Sequence, residues 1–414
     1  MEFLRKIWRW AGSSHGKFEA VRPGDGAVLS LGQSRGASFA EDYVEFEGKF
    51  VVGGDFAQFW IATRRDGKRS AVRIWKHEEV DASDLQRLRN EAKLLHALEH
   101  ENVAVLHGWY EEPGAFYTAI ELCDGGELFE WTAKRKNYSE EKARNIIKCL
   151  LSAVDHLHRH GIVIRNLKPE HLLLSDPSDH ATLKITDLKF ATDDGKDRFP
   201  FHEQTRSAEY NAPETSKEKC GPPADIWCVG TFMFILVGGY YPFRGRRAAL
   251  LKKIKTGKVE FEEENWGWIS PSVKDLIQRM LMLEPRERIS AAQALEHEWM
   301  TSESEDLAGK NLEHNLGLFI AFNAKRKFKQ AVTGIVFLIY ASRLKNSESK
   351  DSATAEHAFR VVESLLKTPG CIEEGVAQET PEVPPTPATV AASSISSSGF
   401  VGFTKLGETF IWRH

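Results

Sequence analysis

Two short stretches of the chain contain side chains that could do chemistry at a single site. The stretch IRNLKPEH at residues 164–171 contains Asn166 and His171, and a second stretch begins with Asp187. A carboxylate such as Asp187 suits a hard cation like Mg²⁺, whereas a neutral imidazole is a poor ligand for it. The Asn166 amide cannot accept a proton at neutral pH. The two stretches therefore contain a possible metal ligand, whereas the amide at position 166 cannot act as a general base.

These stretches belong to a series of motifs that resembles the protein kinase family. IRNLKPEH resembles the kinase catalytic loop H-R-D-L-x-x-x-N, and Asp187-Leu188-Lys189 stands where D-F-G belongs. The A-P-E motif, the D-x-W-x-x-G helix start and the arginine that pairs with A-P-E have counterparts at Ala212-Pro213-Glu214, Asp225 to Gly230 and Arg288. Each motif alone is weak, but five in the family's order are specific.

Within that family the chain is similar to the calcium/calmodulin-dependent and myosin-light-chain/titin-like kinases. The similar phrases are GGELFE at 125–130, YYPF at 240–243 and residues 268–300. The resemblance spans roughly residues 43–345. It implies an α+β, bilobal protein-kinase fold with a small β-rich N-lobe (about 43–121) and a large helical C-lobe (about 125–300). It also implies a hydrophobic stack of Leu95, Leu106, Ile164 and Leu188.

The resemblance maps the family's Gly-rich phosphate loop to Val52, Gly54, Ala57 and Phe59. Val52 adds a branched side chain where backbone amides should approach phosphate. The Phe59 ring could fill part of the nucleotide's place, or it could pack within the sheet. We therefore expect ATP and Mg²⁺ to bind weakly or not at all.

The family's strand lysine falls on Arg73, and the two cations are not interchangeable at a phosphate. Glu91 is placed to pair with Arg73, and Lys76 is a possible substitute cation. Glu121 and Cys123 complete the nucleotide-contacting positions that the resemblance implies.

The catalytic positions are degraded more than the structural ones. Arg165 and Lys168 are retained, and Asp187 could hold one metal ion, but Asn166 replaces the family's catalytic Asp and His171 replaces its metal-binding Asn. Lys189 replaces the last Gly of D-F-G. These changes predict a pseudokinase that acts as a regulator or scaffold. The alternative is an active or weakly active Ser/Thr kinase that uses ATP.

Strands and helices that could position these residues follow from the hydrophobic pattern. Residues 43–74 are strand-like, with a hairpin turn at Asp66-Gly67. Further strands are expected near 103–110 and 116–122. Helical periodicity marks 84–98 and an amphipathic segment that ends at Gly161, and 210–300 is mostly helical. Strands thus precede helices, which predicts two lobes with a cleft between them.

The flanking regions differ in composition. Residues 1–40 are predicted to be a flexible leader without the apolar core of a secretory signal. Residues 346–414, rich in Ser, Thr, Pro and Ala, are predicted to be mostly disordered, apart from a short helix at 354–367. The kinase-like domain between them is placed at 41–300.

Overall composition excludes several classes of protein. Charged residues make up 28% and the formal net charge is −4, so a generally basic nucleic-acid binder is not expected. The five cysteines form no CxxC pair, which favours reduced thiols in a cytoplasmic protein over a zinc site or a disulfide scaffold. The apolar runs at 229–243 and 331–341 are shorter than the roughly 20 residues of a transmembrane helix.

Residues 301–345 resemble the autoinhibitory and calmodulin-binding segment of calcium/calmodulin-dependent kinases. Phe328, Val332 and Phe337 have the 1-5-10 spacing of calmodulin anchors, beside a basic cluster of Lys325, Arg326, Lys327 and Lys329. The alternatives are a helix docked permanently on the large lobe and one lying on a membrane surface. Calmodulin capture and docking are compatible. Glu127 is placed to contact ribose or a basic substrate residue, or to form a solvated acidic rim.

Overall fold

The computed structural model describes residues 38–51, 58–78, 80–193, 209–217, 220–245, 247–346, 405–406 and 409–410. The predicted loop glycine Gly54, nearly all of the predicted leader and the predicted helix at 354–367 lie outside these ranges. The chain divides into two units, residues 1–366 and 367–414. In the second unit the structure describes a pair of antiparallel strands, β10 (Lys405–Leu406) and β11 (Thr409–Phe410).

A five-stranded antiparallel sheet and one long helix form the N-lobe. Its elements are α1 (Phe39–Asp42), β1 (Tyr43–Val51), β2 (Gln58–Arg64), β3 (Arg69–Lys76), α2 (Ala82–Ala97), β4 (Leu106–Glu112) and β5 (Ala115–Glu121). The strand order is β1-β2-β3-β5-β4. The Asp66-Gly67 hairpin joins β2 to β3 as predicted, and Gly67 takes the positive φ of +83° that the turn requires.

Helices form most of the C-lobe. They are α3 (Leu128–Ala133), α4 (Glu140–Arg159), α5 (Pro222–Gly238), α6 (Arg247–Thr256), α7 (Glu263–Trp266), α8 (Pro271–Met280), α9 (Ala291–Leu295), α10 (Glu298–Thr301), α11 (Ser304–Ala308) and α12 (Glu313–Asn346). Short strands carry the site loops: β6 (Ile162–Val163) pairs with β9 (Thr192–Asp193), and β7 (Leu172–Leu174) pairs with β8 (Leu183–Ile185). The observed lobes confirm the predicted α+β, bilobal architecture.

The C-lobe core is built on α4 and α5. The Ser139 side chain caps α4 by accepting the Lys142 N–H, and Gly161 follows the helix with a positive φ of +75°. From Ala224 to Gly238 every residue of α5 is buried, which explains why its sequence is apolar apart from Asp225 and Thr231. The hydrophobic cluster around these helices includes the predicted stack of Leu95, Leu106, Ile164 and Leu188.

Helix α12 packs its N-terminal part directly on the C-lobe. The Asn315 side-chain amide donates hydrogen bonds to the carbonyls of Val237 and Asn265, both at 2.9 Å. Gly239, at the end of α5, has a φ of +83°, and a Cβ there would lie only 2.6 Å from the Asn315 carbonyl oxygen. The glycine therefore allows the two backbones to approach closely.

Two predicted boundaries differ from the structure. Phe39 falls within the predicted leader but is only 5% exposed, and its ring stacks on Tyr43 and Tyr117. The folded N-lobe therefore includes residues before 41. Strand β4 begins three residues later than predicted because Val103 instead bridges to Ile185 in β8. In the described part of the chain, no helix has the length and apolarity needed to span a bilayer.

Candidate functional site

A buried ionic cluster joins the two lobes at the base of the predicted nucleotide site. Arg73 on β3 is 2% exposed and directs its guanidinium at two carboxylates. Its Nη2 lies 2.8 Å from Glu91 Oε1 on α2, and its Nη1 lies 3.2 Å from Asp187 Oδ2. Glu91 Oε1 also accepts the Leu188 N–H at 3.0 Å. The sequence predicted the Arg73–Glu91 pair but not the bond from Arg73 to Asp187.

The charges around Asp187 keep it ionised. Burial opposes ionisation, but the neighbouring side chains of His171, Arg73 and Lys189, with a hydrogen bond from the Lys189 N–H, hold the pKa of Asp187 below its usual value. For Glu91 the larger effect is burial, which raises its pKa. Arg73 thus supplies to Asp187 the compensating charge that a cation would otherwise provide.

The catalytic-loop residues are fixed by a buried carboxylate on α5. Asp225 accepts the backbone N–H groups of Ile164 at 2.9 Å and Arg165 at 2.8 Å, and its Oδ2 lies 2.9 Å from His158 Nε2. These contacts hold Arg165 at a φ of +68°, a conformation that side chains other than glycine seldom adopt. The loop backbone is therefore well supported although its chemical groups have changed.

Asn166 is buried at the position where the resemblance places a general base. Its Oδ1 has no hydrogen-bond donor within reach among the described residues. An amide oxygen does not take up a proton at neutral pH, so even an unpaired one cannot serve as the base. Lys168, two residues later, is half-buried.

The residues at the predicted metal position do not fit Mg²⁺. His171 Nδ1 lies 3.0 Å from the Asn166 carbonyl oxygen, so this ring nitrogen donates to the backbone. Asp187 is engaged by Arg73. Mg²⁺ is usually held by one or two carboxylates together with waters and substrate phosphates, whereas here the Asp187 carboxylate is already paired with Arg73 and His171 offers an imidazole, which is a poor ligand for this ion. The described residues contain no group of three His, Cys, Asp or Glu side chains that could hold a metal.

Three further residues were predicted to contact the nucleotide: Glu121, Cys123 and Phe59. The Glu121 carboxylate pairs with Lys184 at 2.9 Å and accepts the Val105 N–H at 3.2 Å. Burial, reinforced by Glu121, raises the pKa of the Cys123 thiol to about 12, so this cysteine is not a nucleophile. Phe59 pairs with Arg73 in the β2–β3 register, but its side chain is not described.

An acidic pocket on the C-lobe is occupied by α12. Arg326 forms ion pairs with Glu127 and, at 3.0 Å, with Glu170, and its guanidinium lies 5.4 Å from the Phe129 ring centroid. Lys327 Nζ lies 2.6 Å from Glu127 and 3.3 Å from Glu130. Sequence reasoning missed Glu170 and Glu130, although Glu170 lies within the IRNLKPEH motif.

Of the alternatives predicted for Glu127, the solvated acidic rim is wrong. Glu127 is only 6% exposed because α12 covers it and supplies both of its cationic partners. Of the predicted calmodulin-binding residues, Lys325 is exposed and Phe328 is 55% exposed, whereas Arg326 is buried. Val332 and Phe337 continue the same helix, but their side chains are not described.

The family model for the protein kinase domain matches residues 48–300 of this chain. The chain belongs to the protein kinase family. It is similar to calcium/calmodulin-dependent protein kinase type II subunit delta of Oryctolagus cuniculus, with 35% identity over 268 residues. That alignment covers 64% of this chain and 50% of the relative, so the chain spans about half the length of the curated relative it matches.

Two features of the structure can now be located relative to the kinase domain: the Arg288–Glu214 ion pair and helix α12. Arg288 Nη1 lies 2.6 Å from Glu214 Oε1, which joins the A-P-E motif to the helical lobe as the sequence implied. The matched region ends before α12, so the helix that fills the acidic pocket follows the kinase domain. A protein kinase domain implies ATP and Mg²⁺ in general, whereas the residues described above depart from the usual ligands.

Proposed function

We propose that this kinase-fold protein is a pseudokinase that regulates or scaffolds other proteins and transfers phosphate weakly or not at all. The observation that carries the proposal has two parts. Asn166 occupies the position of the general base, and the Asp187 carboxylate is already engaged by Arg73. Phosphoryl transfer depends on positioning and on charge neutralisation at these two places. A preserved scaffold with both functions removed is suited to binding rather than turnover.

The same proposal assigns α12 as an autoinhibitory segment that calmodulin can capture. Arg326 and Lys327 satisfy a buried carboxylate, so the docked helix blocks the pocket at Glu127. Phe328 stays exposed on that helix and offers a first apolar anchor to calmodulin. The calmodulin-dependent name of the relative supports this partner, and we place the regulatory segment at 301–345 in a cytoplasmic protein.

The second candidate is a weakly active Ser/Thr kinase. The Arg73–Glu91 ion pair and the ionised Asp187 favour it, because both belong to the phosphate-handling machinery of kinases. Asn166 alone would leave some catalysis, since electrostatic positioning supplies much of the rate. The two candidates differ in whether transfer from ATP can be measured at all.

A transfer assay with radiolabelled ATP and a basic peptide separates them. We expect the purified full chain to give no more incorporation than its Asp187→Ala variant. ATP with Mg²⁺ should raise the melting temperature by less than about 2 °C, since stabilisation follows the ratio of ligand concentration to Kd. Incorporation that is well above background and disappears in Asp187→Ala would show instead that the protein is an active kinase.

Capture by calmodulin depends on Phe328. Phe328→Asp replaces an exposed anchor with a carboxylate that the acidic, Met-rich grooves of calmodulin repel. We expect calcium-dependent affinity of the full chain for calmodulin to fall at least about tenfold, a cost of roughly 1.4 kcal/mol. Isothermal titration calorimetry with and without calcium measures this change in affinity. Leu318→Asp, another exposed site on α12, is the matched control, and an equal loss in both variants would contradict the assignment of Phe328 as an anchor.

A further inference from the structure

Lys189 occupies an unusual position for a charged residue. It stands where the kinase motif has glycine, and the residue is only 5% exposed. Its Nζ lies 4.6 Å from the Trp75 ring centroid on β3 and 3.9 Å from Asp84 Oδ1 in the first turn of α2. Buried charges persist when such partners compensate for lost hydration. The ammonium therefore lies close to β3 and to the first turn of α2 in the N-lobe.

Strand β3, helix α2 and the segment that contains Lys189 meet at this side chain. Further contacts join α2 to that segment. Asp84 also pairs with Arg87 at 2.8 Å, and Arg87 lies 5.7 Å from the Phe190 ring centroid. One turn further, Asn90 Nδ2 donates to the Ala191 carbonyl at 3.0 Å. Successive turns of α2 thus contact the segment that follows Asp187.

The geometry points to Lys189 as an internal latch that holds α2 against β3 and the segment 188–191 without nucleotide or metal. In the structure the Arg73–Glu91 pair is closed, with Nη2 and Oε1 2.8 Å apart. The inference deepens the proposed pseudokinase function, since a latch of this kind presents one fixed conformation to binding partners whatever the nucleotide supply. A glycine at this position would leave α2 without the cation between Trp75 and Asp84.

Hydrogen exchange on the full chain tests the latch, because amide protection reports the local opening of each element. In the wild type we expect slow exchange in α2 and in residues 188–191 without ATP, and no change when ATP is added. Lys189→Met keeps the length of the side chain but removes its charge. It should accelerate exchange in both segments about tenfold, as loss of a desolvated cation–π contact and its ion pair implies. Helix α4 should be unaffected.

Three further variants make the result decisive. Lys189→Arg keeps the charge and should retain protection, whereas Asp84→Asn removes the partner on α2 and should open the same segments. Lys93→Met changes an exposed lysine of the same helix and should have no effect. Unchanged protection of α2 in Lys189→Met would overturn the latch, as would equal acceleration in Lys189→Met and Lys189→Arg. Equal acceleration in α4 would mean general destabilisation and would overturn it too. Because the readout is helix opening, the latch and the absence of phosphate transfer can fail separately.

Discussion

Arg326→Glu should detach the C-terminal half of α12 from the acidic pocket. The substitution removes the partner of Glu127 and Glu170 and adds a third carboxylate between them. Breaking a buried ion pair by removing one partner costs about 3–5 kcal/mol, and the new like charge adds to this. We expect hydrogen exchange in residues 324–346 to increase by at least about a hundredfold, since each 1.4 kcal/mol is a factor of ten.

Calmodulin binding gives a second measure of the same release. If the helix must leave the pocket before capture, its docking energy lowers the apparent affinity for calmodulin. Glu127→Gln weakens the docking contacts without changing α12 itself, so it should raise that affinity. Lys325→Glu is the control for exchange, because Lys325 is exposed and has no ion pair among the described residues. Wild-type exchange in Arg326→Glu would contradict the view that these ion pairs hold the helix.

Local patterns were enough to predict the strands, the helices and the order of the lobes. The turn at Asp66-Gly67 and the apolar run of α5 depend on neighbours close in sequence. The Arg73–Glu91 pair was also predictable, because the resemblance assigns both positions. Such features need no knowledge of distant side chains.

Other properties of the site depend on residues far apart in the chain. Glu127 is buried only because Arg326 and Lys327, about two hundred residues later, cover it. The sequence identified Lys189 as the replacement of a glycine, whereas in the structure its ammonium lies near Trp75 on β3 and Asp84 on α2. Burial and direction of a long side chain are set by tertiary partners, and sequence spacing does not reveal which partner prevails.

Restoring two residues should create measurable phosphate transfer if the loss of activity has the cause proposed above. Asn166→Asp supplies a proton acceptor, which typically contributes 10²–10⁴-fold to rate. His171→Asn replaces an imidazole with a hard amide oxygen that suits Mg²⁺. In the Arg326→Glu background, where the acidic pocket is free for a basic peptide, we expect transfer to rise at least about a hundredfold over the same background alone. Radiolabelled incorporation into the peptide measures the gain.

Two comparisons identify the source of that gain. Adding Asp187→Ala should abolish it, because the restored ligand set then lacks its carboxylate. The single variants should each give much less than the pair, since a base without a metal ligand, or a ligand without a base, completes only half of the machinery. If the restored variant stays inactive, Asn166 and His171 are not the limiting changes. Arg73→Lys, which replaces the guanidinium that lies 3.2 Å from Asp187, is then the next change to add to the restored variant.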